Sequence, residues 1–221
     1  MVPPPLPPPE HTDAPSTDGR HLRRDRNREA VVQALLGLYN DGILNPSTEE
    51  IAERSGVSAR SLFRYFDDVD DLCQAAIIQQ QQNVRPLLPI GATPHQPTEQ
   101  KVQALVRQRA ELFEAVESVA LVSRLRAPFQ LVVADRLTLG REFLRNQIAV
   151  LFAPELAAMP HTVAAGRLAT ADIAASFESW RLLRDDQHLP RVKAAAATAD
   201  ALFALFTAPA SPAQAHDGDL G

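Results

Sequence analysis

A single cysteine, Cys73, stands in 221 residues, which rules out an internal disulfide framework and suits a reducing, cytoplasmic setting. Catalytic signatures are missing too: there is no Gly-rich phosphate loop, no HExxH pair and no nucleophile elbow, and no pair of carboxylates is set apart for acid–base work. The six histidines (His11, His21, His95, His161, His188 and His216) fall mainly in tails and predicted joints, without the spacing of metal ligands. No enzyme, metal or cofactor is therefore expected. Residues 1–9 are Pro-rich and lack the charged start, apolar stretch and cleavage box of a leader, and nothing in the chain requires a membrane. No segment alternates apolar and polar residues as a half-buried strand does, so the fold class is all-α. With 45% hydrophobic residues the chain can bury a real core of one or two domains.

What the chain does contain is concentrated between Ser47 and Phe66. Ser47 can cap an early amide of a helix while Glu50, three positions on, reaches back to the Ser47 amide, which makes a capping box. Ile51 and Ala52 face inward, Gly56 supplies a left-handed residue for a sharp turn, and Val57 fills the corner. Ser58 is a second N-cap. Behind it, Leu62 and Phe66 share one face, and Ala59, Arg60, Ser61 and Arg64 project elsewhere. Two short amphipathic helices meeting across a glycine read as a helix-turn-helix, although S-x-x-E boxes and single glycines also occur in ordinary helical hairpins. The flanks favour the first reading. Val31, Ala34, Leu35 and Leu38 form an amphipathic helix that stops at Asn40-Asp41-Gly42, and Leu72, Ala75, Ala76 and Ile77 begin a further helix that runs into glutamines.

This order of residues resembles the tetracycline-repressor (TetR/AcrR) family of bacterial transcription regulators over Arg28 to Leu72. The matching positions are Gly42, Ser47, Ile51-Ala52, Gly56-Val57-Ser58, Ser61 to Phe66, and Leu72. The resemblance implies an N-terminal three-helix head on residues 23–83, joined by its fourth helix to a helical effector-binding and dimerisation body on 84–208, with disordered tails at 1–22 and 209–221. It also implies a homodimer that binds double-stranded operator DNA and is released by a small-molecule effector. Carried over by position, Ala59, Arg60, Ser61 and Arg64 lie near base edges and Ser47, Thr48, Ser58 and Tyr65 near phosphates. An arginine fork can bond guanine O6 and N7 together, so Arg60 or Arg64 can supply about 1–3 kcal/mol of discrimination and a guanine is expected in each half-site. A phosphate contact is the other use open to either side chain.

Two positions depart from the family pattern. Phe63 replaces a tyrosine and is expected in the core. Val69 replaces a lysine among Asp67, Asp68, Asp70 and Asp71, carboxylates that suit a helix N-terminus. Positive charge is concentrated instead in RHLRRDRNR, where Arg20, Arg23, Arg24, Arg26 and Arg28 form an arm ahead of the first helix, suited to a minor groove or to phosphates. The chain's formal net charge of -5 says nothing against that. A solvated basic run is the alternative for the same residues.

In the body, apolar periodicity places helices from Thr98, over Phe129 to Phe152, over Thr162 to Arg184, and from Pro190 to Phe206, with a proline-rich joint after Gln82. The last helix carries two apolar stripes, one through Val192, Ala196, Ala199, Phe203 and Phe206 and one through Ala194, Ala197, Ala201, Ala204 and Leu205. Two stripes suggest two partners, its own subunit and a twofold copy. Phe113, Phe143, Ile173, Phe177 and Trp180 are candidate walls of an effector pocket, and an aromatic stripe at this spacing also suits plain core. Arg124, Arg126 and Arg145 are candidates to pair an anionic group of the effector. Two other readings share the all-α prediction: a helical effector-binding or scaffold protein with a weakened head, and an all-α enzyme.

Overall fold

The computed structural model describes the backbone of residues 17–209 and the side chains of residues 21–209. The Pro-rich run, most of both expected tails and the Arg20 side chain lie outside the described residues. The described chain is helical, without strands, and divides into two compact units that part between Ala76 and Ile77.

The first unit contains α1 (Thr17–Asn40), α2 (Thr48–Ser55), α3 (Ala59–Leu62) and the start of α4 (Val69–Asn83). Its core contains the expected Val31, Leu35, Ile51, Leu62, Phe66, Leu72 and Ala76, and adds Tyr39 from α1 and Cys73 from α4, while Ala52 and Ala75 are only half-buried. Both glycine stops are real. Gly42 has φ 85° and Gly56 has φ 68°, left-handed values that only glycine adopts without strain. Past α1 the Ile43 amide reaches back to the Leu38 carbonyl at 3.0 Å, closing the helix end around Gly42.

One boundary is corrected. The expected tail and basic arm run to Arg28, yet α1 begins at Thr17, so Arg23, Arg24, Arg26 and Arg28 are residues of a helix. Arginine is a good helix former, and a run of arginines, Asp25 and Glu29 sustains helix ahead of the apolar stripe that periodicity detects.

The second unit contains a one-turn 3-10 helix (Arg85–Leu87), α5 (Thr98–Arg126), α6 (Leu131–Leu151), α7 (Ala153–Ala157), α8 (His161–Ala174), α9 (Phe177–Arg181), a π-helical turn (Leu182–Asp186) and α10 (Arg191–Thr207). Val102, Leu105, Ile148, Phe152, Ala171, Leu202 and Phe206 form its main core, where the Phe152 and Phe206 rings stack at 4.0 Å. The long helix expected over Thr162 to Arg184 is broken. α8 ends at Ala174, and Ser176 caps a new helix by accepting from the Ser179 amide at 3.1 Å. Apolar spacing runs through the break and so conceals it. Pro190, expected inside the first turn, instead occupies the cap of α10.

A buried ion pair ties the start of α5 to α7. Lys101, only 1% exposed, donates to Glu155 at 2.6 Å and to the Pro94 carbonyl at 3.1 Å, and its ammonium lies 5.1 Å from the Phe152 ring centre. Thr98 donates to the second Glu155 oxygen at 2.6 Å. Partial burial works to raise the Glu155 carboxyl, but the hydrogen bonds from Lys101 and Thr98 prevail and hold it below its ordinary value of 4.5. A depressed folded value means that the stability is fully present above about pH 4.5 and is lost as pH falls through the folded value. Chemical denaturation across pH 3 to 7 checks this, because E155Q removes that part of the acid slope. E155A strands a buried ammonium and is expected to lose about 3–5 kcal/mol, more than K101M, which leaves a carboxylate that water can reach.

Candidate functional site

The turn between α2 and α3 is built from two interlocked caps. At the first, the Glu50 amide donates to Ser47 Oγ at 3.2 Å and the Ser47 amide donates to Glu50 Oε2 at 2.7 Å, the reciprocal box expected from the sequence. The Ser47 backbone and side-chain hydrogen bonds hold the Glu50 carboxyl below its ordinary range, so it stays ionised at the positive end of α2. At the second cap the Ser61 amide donates to Ser58 Oγ at 3.3 Å, and the Ser58 hydroxyl donates to Ser61 Oγ at 2.9 Å. Gly56 joins the two, and Val57 is buried in the corner.

These caps orient the face. Leu62 and Phe66 are buried, whereas Arg60 and Arg64, one helical turn apart, are exposed. Ala59 and Ser61 are half-buried beside them. α3 is short because the Arg64 amide bonds the Ser61 carbonyl at 3.1 Å and the Tyr65 amide bonds the Leu62 carbonyl at 2.9 Å, contracting the helix into tighter turns. Phe63 caps that end and is 53% exposed, so its expected place in the core is corrected. It follows the buried Leu62 by one position, and on a helix adjacent positions do not share a face.

Among the residues expected at phosphates, the hydroxyls of Ser47 and Ser58 already donate within the caps, to Glu50 at 2.8 Å and to Ser61. Their first duty is to hold the turn. The half-buried Thr48 stands on the first turn of α2. Tyr65 is oriented by Asn27 of α1, which donates to its phenolic oxygen at 2.9 Å and leaves the phenolic hydrogen available to a partner. Sequence reasoning missed Asn27, whose partner lies 38 residues away. The arm is redistributed as well. Arg23, Arg24 and Arg26 are exposed along the front of α1, whereas the Arg28 guanidinium lies 4.8 Å from the Phe66 ring centre and covers the head's core. The acidic run serves α4, since the Asp71 amide donates to Asp68 Oδ1 at 2.7 Å and the Asp67 amide to Asp71 Oδ2 at 3.3 Å.

Within the second unit lies a cavity of about 320 Å³. Its wall is largely apolar and includes Phe113, Phe143 and Phe177, three of the five expected pocket residues. Phe113 and Phe177 meet edge to face with ring centres 5.7 Å apart. The other two are corrected. Trp180 is buried in the core behind the wall, and Ile173 is 67% exposed because the break at Ala175 puts it on α8 and Phe177 on α9. The expected anion partners are largely occupied: Arg124 pairs with Glu178 at 2.8 Å and covers the Phe177 ring, and Arg145 pairs with Asp172 at 3.5 Å. Beside the cavity, Arg109 is buried and bonds Gln108, Gln147 and the Leu144 carbonyl; burial pushes it down to about 10 while the Asp172 charge works the other way, so it remains cationic at neutral pH. Among the described residues no group of histidine, cysteine and carboxylate side chains is arranged to hold a metal, and no helix is long and apolar enough to cross a membrane.

Residues 38–76 match the bacterial regulatory proteins of the tetR family. No curated protein matches the sequence. Among solved structures, the chain is similar to a transcriptional regulator from Rhodococcus sp. Rha1, with a TM-score of 0.58 and 16% identity over 81% of this chain and 93% of that one. A tetR-family transcriptional regulator from Streptomyces coelicolor gives a TM-score of 0.58 and 18% identity over 82% of this chain and 80% of that one. The multidrug binding protein EbrR, complexed with imidazole, gives 0.53 and 18% over 86% and 97%. The helix-turn-helix head and the helical body thus share the fold of these regulators.

Substitutions at two positions separate the roles assigned in the head. G56A forces a Cβ into a left-handed position and is expected to lower stability by about 1–2 kcal/mol, with G56N milder. F63Y, on an exposed side chain, is expected to stay within about 0.5 kcal/mol of the parent, as thermal or denaturant unfolding will show.

Proposed function

We propose that the protein is a DNA-binding regulator of the tetR type, a dimeric repressor that reads a palindromic operator through α3 and is released from it by a small molecule held in the body cavity. The observation that carries this reading is the separation of exposed Arg60 and Arg64 from buried Leu62 and Phe66 along α3 and the tight turn that ends it, directly after the Gly56 turn. A planar guanidinium donates two parallel bonds to guanine O6 and N7 in a major groove, and Ala59 and Ser61 are small enough to let the helix approach the base edges. Exposed Phe63 adds an apolar surface of the kind that meets thymine methyl groups. Thr48 and Tyr65, with the α1 arginines, contribute phosphate contacts that fix register. As cations of a helix, Arg23, Arg24 and Arg26 track the backbone instead of threading a minor groove.

Twofold assembly is supported by α10. One side of it packs in its own subunit through Ala194, Thr198, Ala199, Leu202 and Phe206. The two stripes expected from sequence are therefore each split, and Val192, Ala196, Phe203 and Ala204 remain on a second, exposed side. On α8, Ala165, Gly166 and Ile173 are exposed as well. Small residues beside scattered large apolar ones let two helices approach closely, and a twofold pair of heads matches a palindromic site. Release by a ligand is supported by α4, which puts Leu72, Cys73 and Ala76 into the head's core and Ile77, Gln80 and Gln81 into the cavity wall.

Fluorescence anisotropy on DNA selected by the protein tests the reading. R60A and R64A are each expected to weaken specific binding by about 1–3 kcal/mol and to relax preference at one base pair per half-site. Both variants should remain folded and dimeric. Unchanged affinity and preference in both would remove the base-reading assignment. Binding should weaken steeply with salt, through counterions released at the phosphates. In sedimentation, F203E is expected to shift the protein to a folded monomer with much weaker operator binding.

A further inference from the structure

Around the cavity wall the charges do not balance. Arg124, Arg136 and Arg141 all line it, and no residue that lines it is acidic. Two of the three share one carboxylate: Arg124 Nε donates to Glu178 Oε1 at 2.9 Å, and Arg141 Nη2 donates to the same oxygen at 2.5 Å. Burial works to raise Glu178, yet its backbone hydrogen bond and the nearby Arg124 charge hold it below the ordinary carboxylate value, so it is ionised and neutralises one cation. Arg136 differs from both. Among the described residues it forms no ion pair; Nη1 donates to the neutral Gln81 amide oxygen at 3.1 Å, and its buried Nε makes no hydrogen bond. Other polar groups of the wall are satisfied inside the protein: Ser123 donates to the Val119 carbonyl at 2.7 Å and Gln80 to the Ala115 carbonyl at 2.6 Å. Arg136 is half-buried and its Nη1 bond to Gln81 is exposed, so the unmet cost is that of the buried Nε, and an anion at the cavity face of the guanidinium meets both that donor and the charge.

We infer that the cavity takes a compact hydrophobic monoanion, a carboxylate on an apolar body, with Arg136 as its charge partner. The inference rests on the reading of the cavity as an effector site and adds the ligand's chemical class. The apolar body lies among Phe113, Phe143, Phe177 and the neighbouring aliphatic side chains, and the carboxylate meets the Arg136 guanidinium. Arg136 suits this task because its planar fork bonds both oxygens of a carboxylate. Binding is selective against cations, since the wall offers no acidic group to receive one. A volume of about 320 Å³, near the lower limit for ligand pockets, selects a short chain or a single ring.

Titration calorimetry on the full chain, with the single Trp180 as a fluorescent reporter, tests this with octanoate, octanol and octyltrimethylammonium. Octanoate is expected to bind one per chain, at least about tenfold tighter than octanol, with the ammonium weakest. From butanoate to octanoate the affinity should rise about fourfold per methylene. R136Q should abolish the preference for octanoate over octanol and leave octanol within about twofold of the parent, while R136K, which keeps the charge without the fork, should retain part of it. Equal binding of the three headgroups by the parent, or tightest binding of the ammonium, would overturn the monoanion assignment and leave the effector cavity standing. Failure of all three to bind, with the head still shifting DNA, would overturn the effector-cavity reading itself. The headgroup comparison is made on the unsubstituted chain, so it decides the matter even if R136Q does not fold.

Discussion

The left-handed turn at Gly56 is the constraint on which the head depends. With φ at 68° the chain reverses within two residues, and the caps at Ser47 and Ser58 then leave α2 and α3 one way to proceed. That direction leaves Leu62 and Phe66 buried, like Tyr39 and Leu72, and Arg60 and Arg64 outside. An exposed arginine face is therefore a by-product of local backbone chemistry: the turn sets the helix, the helix sets the buried side, and Arg60 and Arg64 are left outside. Asn27 and Arg28 reinforce the result from α1, one by holding the Tyr65 hydroxyl and the other by covering Phe66.

In the second unit the organising interactions are non-local and charged. Lys101 with Glu155 and Arg109 with two glutamines are buried groups held by neighbours, although Arg109 Nε itself has no hydrogen-bond partner, and nearer the surface Arg124 and Arg141 share Glu178. Gln108 and Gln147 carry the Arg109 network onward, donating to the Leu87 and Leu88 carbonyls at 2.7 Å each, so the segment after α4 is tied to α5 and α6. These matched groups form a background against which Arg136 stands out. Arg109 Nε and Arg136 Nε are the two buried side-chain atoms without a hydrogen-bond partner among the described residues, and of the two arginines only Arg136 lines the cavity.

How much of this was legible in the sequence depended on range. The caps at Ser47 and Ser58, the Gly42 and Gly56 stops and the inward positions of α2 and α3 involve residues at most four apart, and all were readable. Phe63 was misplaced because the family's tyrosine suggested a role for its hydroxyl, while its own position, one past a buried leucine at a contracting helix end, sets its exposure. Periodicity detects buried faces, and the front of α1 buries little, so its arginines read as an arm where the structure has helix. The break between α8 and α9 hid under continuous apolar spacing, although Ser176 followed three residues later by Ser179 was a cap signal in plain view. Arg136 could not have been singled out from sequence at all. Its importance comes from what its neighbours across the cavity lack.

Selection of bound fragments from sheared genomic DNA by the unsubstituted protein shows whether paired heads read DNA through α3. A twofold head that reads through α3 is expected to enrich a palindrome whose half-sites lie in successive major grooves, about one helical turn apart, with a guanine in each half. Recovery of no enriched sequence at low salt, or of an asymmetric site without paired halves, would contradict it.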